Sequence, residues 1–249
     1  MDGGIDGLFD WLFVWSQSSN IPMYLPFFQM LGATTEQTKL LFICSPGNPT
    51  CKAIPMEDIE AIASSSQYNG LVVVDEAYVD FSDKGTAVEL VHKYPNIVVL
   101  QTLSKAFGLA GIRCGFCIGA PDVIRLMNNV KAPYNVNSLT SEVAVNAMTS
   151  TKVLEENIKD ILAQRKVVAE QLEALDFVEK VFPSDANFLL FRVKDHAQEM
   201  YKSMADAGVV TRFRGNEMHC TNCIRVTIGT PDENTKFLEL LQKTWEKMK

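Results

Sequence analysis

The chain has 249 residues, 47% of them hydrophobic, and a formal net charge of −7. This length and composition suit one large domain or two smaller domains with a buried core. An acidic chain lacks the basic surface that nucleic acids require, so no nucleic-acid partner is expected. The apolar residues 8–15 are too few to cross a bilayer, and Asp10 interrupts them. The sequence therefore predicts no membrane partner and a cytoplasmic protein.

The N-terminal part of the chain divides at about residue 38. Residues 1–37 form an atypical segment in which aromatic side chains cluster without a helix or strand period. Beyond it, short apolar runs predict strands at 39–44, 71–75, 97–102 and 114–119, with a helix predicted at 55–66. Strands that alternate with helices predict an α/β fold, a mostly parallel sheet with helices on both faces. We assign this part to a large domain at residues 38–148.

The pattern changes in the second half, where we predict a smaller α+β domain at residues 149–249. A last helix should begin at Pro231, because Thr230 and Glu233 have the spacing of a capping box. Gly208 is suited to end the helix before it. The other elements predicted beyond residue 133 are helices at 138–148, 151–175 and 195–207, and strands at 188–193, 209–213 and 224–227.

Six cysteines include two pairs with C-x-x-C spacing, which could indicate a metal or redox site. Cys114 and Cys117 fall in a predicted strand, where residues three apart face opposite sides and cannot easily chelate one ion. Buried cysteines also behave as small apolar side chains. We therefore expect no metal, and leave open the role of Cys220 and Cys223, which adjoin His219 in a predicted loop.

Three motifs follow three of the predicted strands. They are SPGNPT at 45–50, DEAY at 75–78 and TLSK at 102–105, and Arg113 lies eight residues beyond the lysine. Taken singly, each is ordinary, since such residues also form turns, cap helices or stay solvated. Open α/β sheets, however, gather their ligands at the carboxyl ends of the strands. We therefore interpret the three motifs as one site.

Pyridoxal 5′-phosphate is the cofactor that these side chains suit. It requires an amine for its aldehyde, a carboxylate opposite its ring nitrogen, and donors for its ring oxygen and phosphate. Lys105 can supply the amine, as the catalytic residue, and Asp75 the carboxylate. The predicted donors to the ring oxygen are Asn48 and Tyr78. The predicted phosphate ligands are Thr102, Ser104 and Arg113, the last through a charge-assisted fork.

The order SPGNPT, VVVDEAYVDF, TLSKAFGLAGIRCG and CIRVTIGT resembles the histidinol-phosphate aminotransferases, within the class I/II, fold-type I aminotransferases. The resemblance runs from about residue 38 to the C-terminus and implies the cofactor roles just given. It also implies that Arg212 and Arg225 bind the substrate's anionic group. Arg192 and Arg214 are expected to be surface residues. Cys51 stands where the family usually has glycine.

The resemblance further implies a homodimer and a chain truncated at its N-terminus. The family's N-terminal arm and its glycine-rich, phosphate-binding helix start should lie before the resembling region. Such helix starts are strong phosphate sites, so their loss should weaken cofactor binding.

The function expected from the resemblance is a transferase of histidine biosynthesis, and so of amino-acid biosynthesis. Its small-molecule amino donor would be histidinol phosphate and its 2-oxo acid 2-oxoglutarate, giving imidazole-acetol phosphate and glutamate. Alternatives left open are another class I/II aminotransferase, a phosphoamino-acid decarboxylase and a non-catalytic remnant. A serine–lysine hydrolase is disfavoured, because the adjacent Ser104 and Lys105 should diverge and no oxyanion-hole motif is present.

Overall fold

A five-stranded, mostly parallel sheet forms the first half of the molecule. The computed structural model describes residues 11–13 and 27–248, with side chains from residue 29 onward. The strands follow one another in the order β1-β2-β3-β4-β5, and only β5 is antiparallel to its neighbour. Their bounds are Trp11–Phe13 for β1, Leu40–Cys44 for β2, Leu71–Asp75 for β3, Ile97–Thr102 for β4 and Gly115–Gly119 for β5.

Apolar packing and register together hold this sheet. Helix α2 (Met56–Ser64) buries Ile59, Ile62 and Ala63 in a core shared with β2, β3 and β4, and α1 (Phe27–Gly32) lies beside it. Asp75 is in register with Cys44 on one side and Leu100 on the other. The carboxyl ends of three parallel strands therefore lie level, and the loops that follow them meet at one edge.

The second half contains a four-stranded antiparallel sheet in the order β6-β7-β9-β8. Its strands are β6 (Val178–Val181), β7 (Phe188–Val193), β8 (Arg212–Phe213) and β9 (Cys223–Thr227). The helices after the first sheet are α3 (Pro121–Val130), α4 (Ser138–Thr149), α5 (Lys152–Glu173), α6 (Ala197–Asp206) and α7 (Pro231–Glu246). A second apolar core joins this sheet to α5, α6 and α7.

Several sequence-based predictions of local structure are confirmed. Helix α7 begins with the expected capping box, in which Glu233 N donates to Thr230 Oγ1 at 3.3 Å and Thr230 N donates to Glu233 Oε2 at 2.8 Å. Gly208 follows α6 with a φ of +86°, the left-handed conformation that glycine adopts without steric cost. The strands predicted at 71–75, 97–102 and 188–193 have the predicted bounds.

Other elements differ from the predictions. The strand expected at 209–213 is reduced to the two residues of β8, because Val209 N donates to Met204 O at 2.9 Å and keeps this part at the end of α6. Helix α3 was not predicted, although Val123, Met127 and Val130 have helical spacing; it lies beside β5, and none of its residues is fully buried. Strand β6 was also missed, since only four residues with two central charges form it. Most of the predicted segment 1–37 lies outside the described residues.

A third apolar cluster lies between the two sheets. It joins residues of the first half to residues of the second: Cys51, Tyr78, Phe81, Ala106, Phe182, Ala186, Phe188, Leu190, Cys220 and Cys223. Asp185 adds a polar clamp, because its Oδ2 accepts from Ala53 N at 2.9 Å and lies 2.7 Å from Lys52 Nζ. The domain boundary at 148/149 stays a prediction. Among the described helices, none is both long and apolar enough to cross a membrane.

Candidate active site

The loop after β2 is a tight turn that carries Asn48. Cys51 N donates to Gly47 O at 2.8 Å, and Gly47 N donates to Lys52 O at 2.9 Å. A Cβ atom at Gly47 would lie 2.2 Å from Thr50 Oγ1, so a larger residue at this position would force the Thr50 side chain to move. Asn48 is half-buried, and its Oδ1 accepts from Arg225 Nη1 at 2.6 Å. The first loop therefore contacts the second sheet directly.

Two adjacent carboxylates follow β3, and they differ in their surroundings. Glu76 is buried and accepts from Thr86 Oγ1 at 2.6 Å and from Gln101 Nε2 at 2.9 Å, which gives it a structural role. Asp75 is half-buried, and its Oδ1 accepts from Ala77 N at 3.0 Å. Of the pair, Asp75 is therefore the carboxylate suited to a ligand.

Lys105 lies in the turn after β4 and faces Tyr78. Its Nζ is 5.3 Å from the centroid of the Tyr78 ring, within the range of a cation–π contact. Tyr78 is buried and packs edge-on against Phe188 of β7, with 5.0 Å between ring centroids. Lys105 itself is exposed. The amine thus lies at the surface of the cluster that joins the two sheets.

The three predicted phosphate ligands are only partly brought together. Thr102 Oγ1 lies 3.0 Å from Ser104 Oγ, and it also accepts from Ser104 N at 3.1 Å. Arg113 is exposed, has a left-handed φ of 54° and donates from Nη1 to Ala110 O at 3.2 Å. The two hydroxyls therefore form a unit, whereas the Arg113 guanidinium binds the backbone of its own turn.

Three arginines, Arg212, Arg214 and Arg225, form what we call the arginine cluster. Arg212 of β8 lies directly opposite Arg225 of β9, so the two share one face of the sheet. Burial, then the charge of Arg214, and more weakly that of Arg212, lower the pKa of Arg225. The Cζ of Arg225 is 4.8 Å from the ring centroid of Phe188. Nearby positive charges of this kind favour the binding of an anion.

The expectation that Arg214 is a surface residue is wrong. Its side chain is 24% exposed, and its Nη1 lies 2.8 Å from Glu217 Oε1. Within the described part of the chain, the Nε atoms of Arg214 and Arg225 are buried without a hydrogen-bond partner. The sequence TRFR contained the signal, because residues two apart in a strand share a face.

The cysteines occupy two kinds of environment. All six are free thiols, and the described residues hold no group of three or more side chains suited to one metal ion. Cys117 lies within β5 as predicted, whereas Cys114, also predicted in this strand, precedes it by one residue. Cys220 and Cys223 are buried in the cluster between the sheets.

Comparisons with known proteins agree on one family. The family model for aminotransferase class I and II matches residues 25–241. Histidinol-phosphate aminotransferase from Flavobacterium psychrophilum is 40% identical over 214 residues, which cover 86% of this chain and 61% of that protein. The enzyme of that name from Saccharomyces cerevisiae is 46% identical over 219 residues, which cover 84% of this chain and 56% of that protein. The chain thus spans about three fifths of the length of these relatives.

Solved structures show the same fold. The histidinol-phosphate aminotransferase from Clostridium acetobutylicum superposes with a TM-score of 0.82 at 23% identity, covering 89% of this chain and 68% of that one. The histidinol-phosphate aminotransferase from Sinorhizobium meliloti, solved in complex with pyridoxal 5′-phosphate, superposes with a TM-score of 0.71 at 24% identity. The match covers 84% of this chain and 59% of that one. The fold-type I expectation is confirmed, and the chain belongs to the aminotransferase class I and II family.

Proposed function

We propose that this chain binds pyridoxal 5′-phosphate through Lys105 and acts as an aminotransferase. One observation carries the proposal: the loops after three adjacent parallel strands bring Asn48, Asp75 and Lys105 to one edge of the sheet. The Lys105 amine lies beside the buried ring of Tyr78, 5.3 Å from its centroid. An amine, a carboxylate and a phenol are the groups that this cofactor needs around its ring.

Each side chain has a role that its chemistry suits. Asp75 would keep a proton on the ring nitrogen, and Asn48 and Tyr78 would donate to the ring oxygen. Thr102, Ser104 and Arg113 would hold the phosphate. When bound, the cofactor supplies an electron sink for the substrate's α-carbon. Lys105 would first bond the cofactor aldehyde and, once displaced by substrate, would take the proton from that carbon as general base.

We propose histidinol phosphate as amino donor and 2-oxoglutarate as 2-oxo acid, which places the enzyme in histidine biosynthesis in the cytoplasm. The support is twofold. Relatives at 40–46% identity carry the name histidinol-phosphate aminotransferase. Arg212 and Arg225 offer two positive charges to a substrate anion, and Arg214, which pairs with Glu217, lies beside them. A dianionic phosphate gains more from such a cluster than a single carboxylate does.

We also propose that the active form is a homodimer. Large apolar side chains stay exposed on and around α3 and α4 of the isolated chain, among them Leu126 (66%), Val130 (85%), Tyr134 (95%) and Leu139 (74%). A patch of several such neighbours is typical of a surface that another protein covers. Sedimentation should give twice the mass of the chain at micromolar concentration. A monomer at every concentration would reject the dimer.

Cofactor attachment is the direct test of the proposal. The chain is mixed with equimolar pyridoxal 5′-phosphate, reduced with borohydride, digested and analysed by mass spectrometry. We expect the label on Lys105 in the wild type and its loss in Lys105→Ala. The matched control is Lys152→Ala, an exposed lysine of α5, and it should label as the wild type does. Label spread over many surface lysines, unchanged in Lys105→Ala, would reject the assignment.

Turnover separates the proposed enzyme from a non-catalytic remnant. With histidinol phosphate and 2-oxoglutarate, glutamate should form in the wild type and stop in Lys105→Ala. Labelling of Lys105 without glutamate formation would support the cofactor site and reject the aminotransferase activity.

A further inference from the structure

The C-x-x-C segment 220–223 closes a four-residue turn. Cys223 N donates to Cys220 O at 2.8 Å, and Asn222 within the turn has a left-handed φ of 54°. The ends of such a turn lie within about 7 Å of each other, Cα to Cα, and a disulfide spans about 4.4–6.8 Å. Both side chains belong to the buried cluster between the sheets, and Cys223 Sγ donates to Thr221 O within the turn at 3.6 Å. The backbone therefore brings the two Cα atoms into the range that a disulfide spans.

The other C-x-x-C pair of the chain has the same spacing but different geometry. Cys117 lies in β5, and Cys114 O extends the ladder by accepting from Leu103 N at 3.2 Å. Three residues of extended chain span about 10 Å, which is beyond disulfide reach. The folded backbone thus brings Cys220 and Cys223 close enough for a disulfide and keeps Cys114 and Cys117 too far apart.

The two thiols differ in how readily they ionise. The pKa of Cys223 is lowered, first by the neighbouring Cys220 thiol and then, against the effect of burial, by the Arg192 guanidinium. The pKa of Cys220 is raised by the Cys223 thiol beside it and by burial. Arg192 also fixes the turn, because its Nη2 donates to His219 O at 3.0 Å. Both thiols are buried, Cys220 at 4% and Cys223 at 0% exposure, next to a segment whose Met218 is 72% exposed, so exchange requires local opening of this segment.

We propose that Cys220 and Cys223 form a reversible intramolecular disulfide by exchange with a small-molecule disulfide. When the turn opens, the Cys223 thiolate attacks the small disulfide first and forms a mixed disulfide, releasing one small thiolate. The Cys220 thiolate then attacks the Cys223 sulfur and releases the second. Two cysteine thiols are oxidised and one small disulfide is reduced to two thiols, which take up the two cysteine protons.

The disulfide would fix the segment that leads to the arginine cluster. Arg214 N donates to Cys223 O at 2.9 Å, and Arg225 lies two residues further along β9. The modification therefore sits next to the proposed anion site without using its side chains. It can be tested whether or not the chain turns over substrate.

The test treats the folded chain with oxidised glutathione, alkylates remaining thiols under denaturing conditions and digests with trypsin. Cleavage after arginine places each pair in its own peptide, 215–225 and 114–125. We expect peptide 215–225 to lose two hydrogens and take no alkyl group, and peptide 114–125 to take two alkyl groups. Dithiothreitol should restore two alkyl groups on peptide 215–225, and Cys220→Ser should abolish the internal bond.

A chain unfolded in urea provides the control, since equal spacing should then make both pairs oxidise alike. Two alkyl groups on peptide 215–225 of the folded chain would overturn the proposal. A stable glutathione adduct on either cysteine without ring closure, or equal oxidation of both pairs in the folded chain, would overturn it as well.

Discussion

The Nη1 of Arg225 donates a 2.6 Å hydrogen bond to Oδ1 of Asn48, a residue 177 positions away. Asn48 belongs to the loop after β2 of the first sheet, and Arg225 to β9 of the second. The predicted substrate-binding arginine and a predicted cofactor-binding amide therefore meet directly. Neither sheet alone contains this contact, so the site depends on the packing of the two halves.

Phosphate is expected to stabilise the chain through the arginine cluster. An anion bound to the folded state alone raises stability by about 2.7 kcal/mol at a hundred times its Kd. We expect the Tm to be higher in phosphate than in chloride of equal ionic strength, and most of this rise to be lost in Arg225→Gln. The control is Arg125→Gln, an exposed residue of α3, which should keep the rise. An equal rise in Arg225→Gln would contradict an anion site at this residue.

Asn48→Asp is expected to change fold stability and anion binding in opposite directions. A carboxylate at this position would pair with the half-buried Arg225 guanidinium and stabilise the fold by about 1 kcal/mol. The same charge would repel phosphate, so the stabilisation by phosphate should shrink. Urea unfolding with and without phosphate measures both effects. Asn69→Asp, at an exposed turn, is the control, and a parallel change of the two quantities in Asn48→Asp would argue against the pairing.

Sequence alone could predict the strands and the motifs at their ends, because buried parallel strands are continuous apolar runs that stop at turn residues. It could also predict the start of α7, since the Thr230 capping box is a local hydrogen-bond pattern. The contact between Asn48 and Arg225 was not predictable, because it depends on how two sheets pack. The partly buried setting of Arg214, whose side chain is 24% exposed, was missed although TRFR is a local pattern. Helix α3 was missed although its apolar residues have helical spacing.

Cys51 is expected to be less favourable than glycine for the backbone. It has a φ of 70°, the left-handed region, where residues with a Cβ are strained by about 1–2 kcal/mol. Glycine avoids the strain but costs about 0.5–1 kcal/mol in chain entropy. Both Cys51→Gly and Cys51→Ala remove the sulfur, so their comparison isolates the backbone. We expect Cys51→Gly to be more stable by about 0.5–1 kcal/mol in urea unfolding, and greater stability of Cys51→Ala would refute the strain.

Alkaline pH is expected to destabilise the chain through the same residue. Burial raises the pKa of the Cys51 thiol from 9.0 to about 12. The folded state therefore favours the neutral thiol, and this contribution is complete below pH 9 and is lost as the pH rises towards 12. The loss approaches about 1.4 kcal/mol per pH unit in that window. Unfolding free energies at pH 8–10 should fall more steeply in the wild type than in Cys51→Ala, and identical slopes would count against a buried thiol.

Asp185 is expected to hold the loop of Asn48 against the second half of the molecule. Its Oδ2 accepts from Ala53 N at 2.9 Å and pairs with Lys52 at 2.7 Å. Asp185→Ala would leave a buried amide unpaired and break the ion pair, at a cost of about 2–4 kcal/mol. Asp185→Asn can still accept from the amide, so it should lose only about 1 kcal/mol.

Urea unfolding of these two variants, beside Asp206→Ala as a control at an exposed position, measures the clamp. If Asp185→Ala and the control were equally stable, the clamp would contribute nothing. If Asp185→Ala is destabilised as expected and also loses its stabilisation by phosphate, the loop and the arginine cluster are coupled. Such coupling would follow from geometry, because residues 51–53 continue directly from the turn whose Asn48 contacts Arg225.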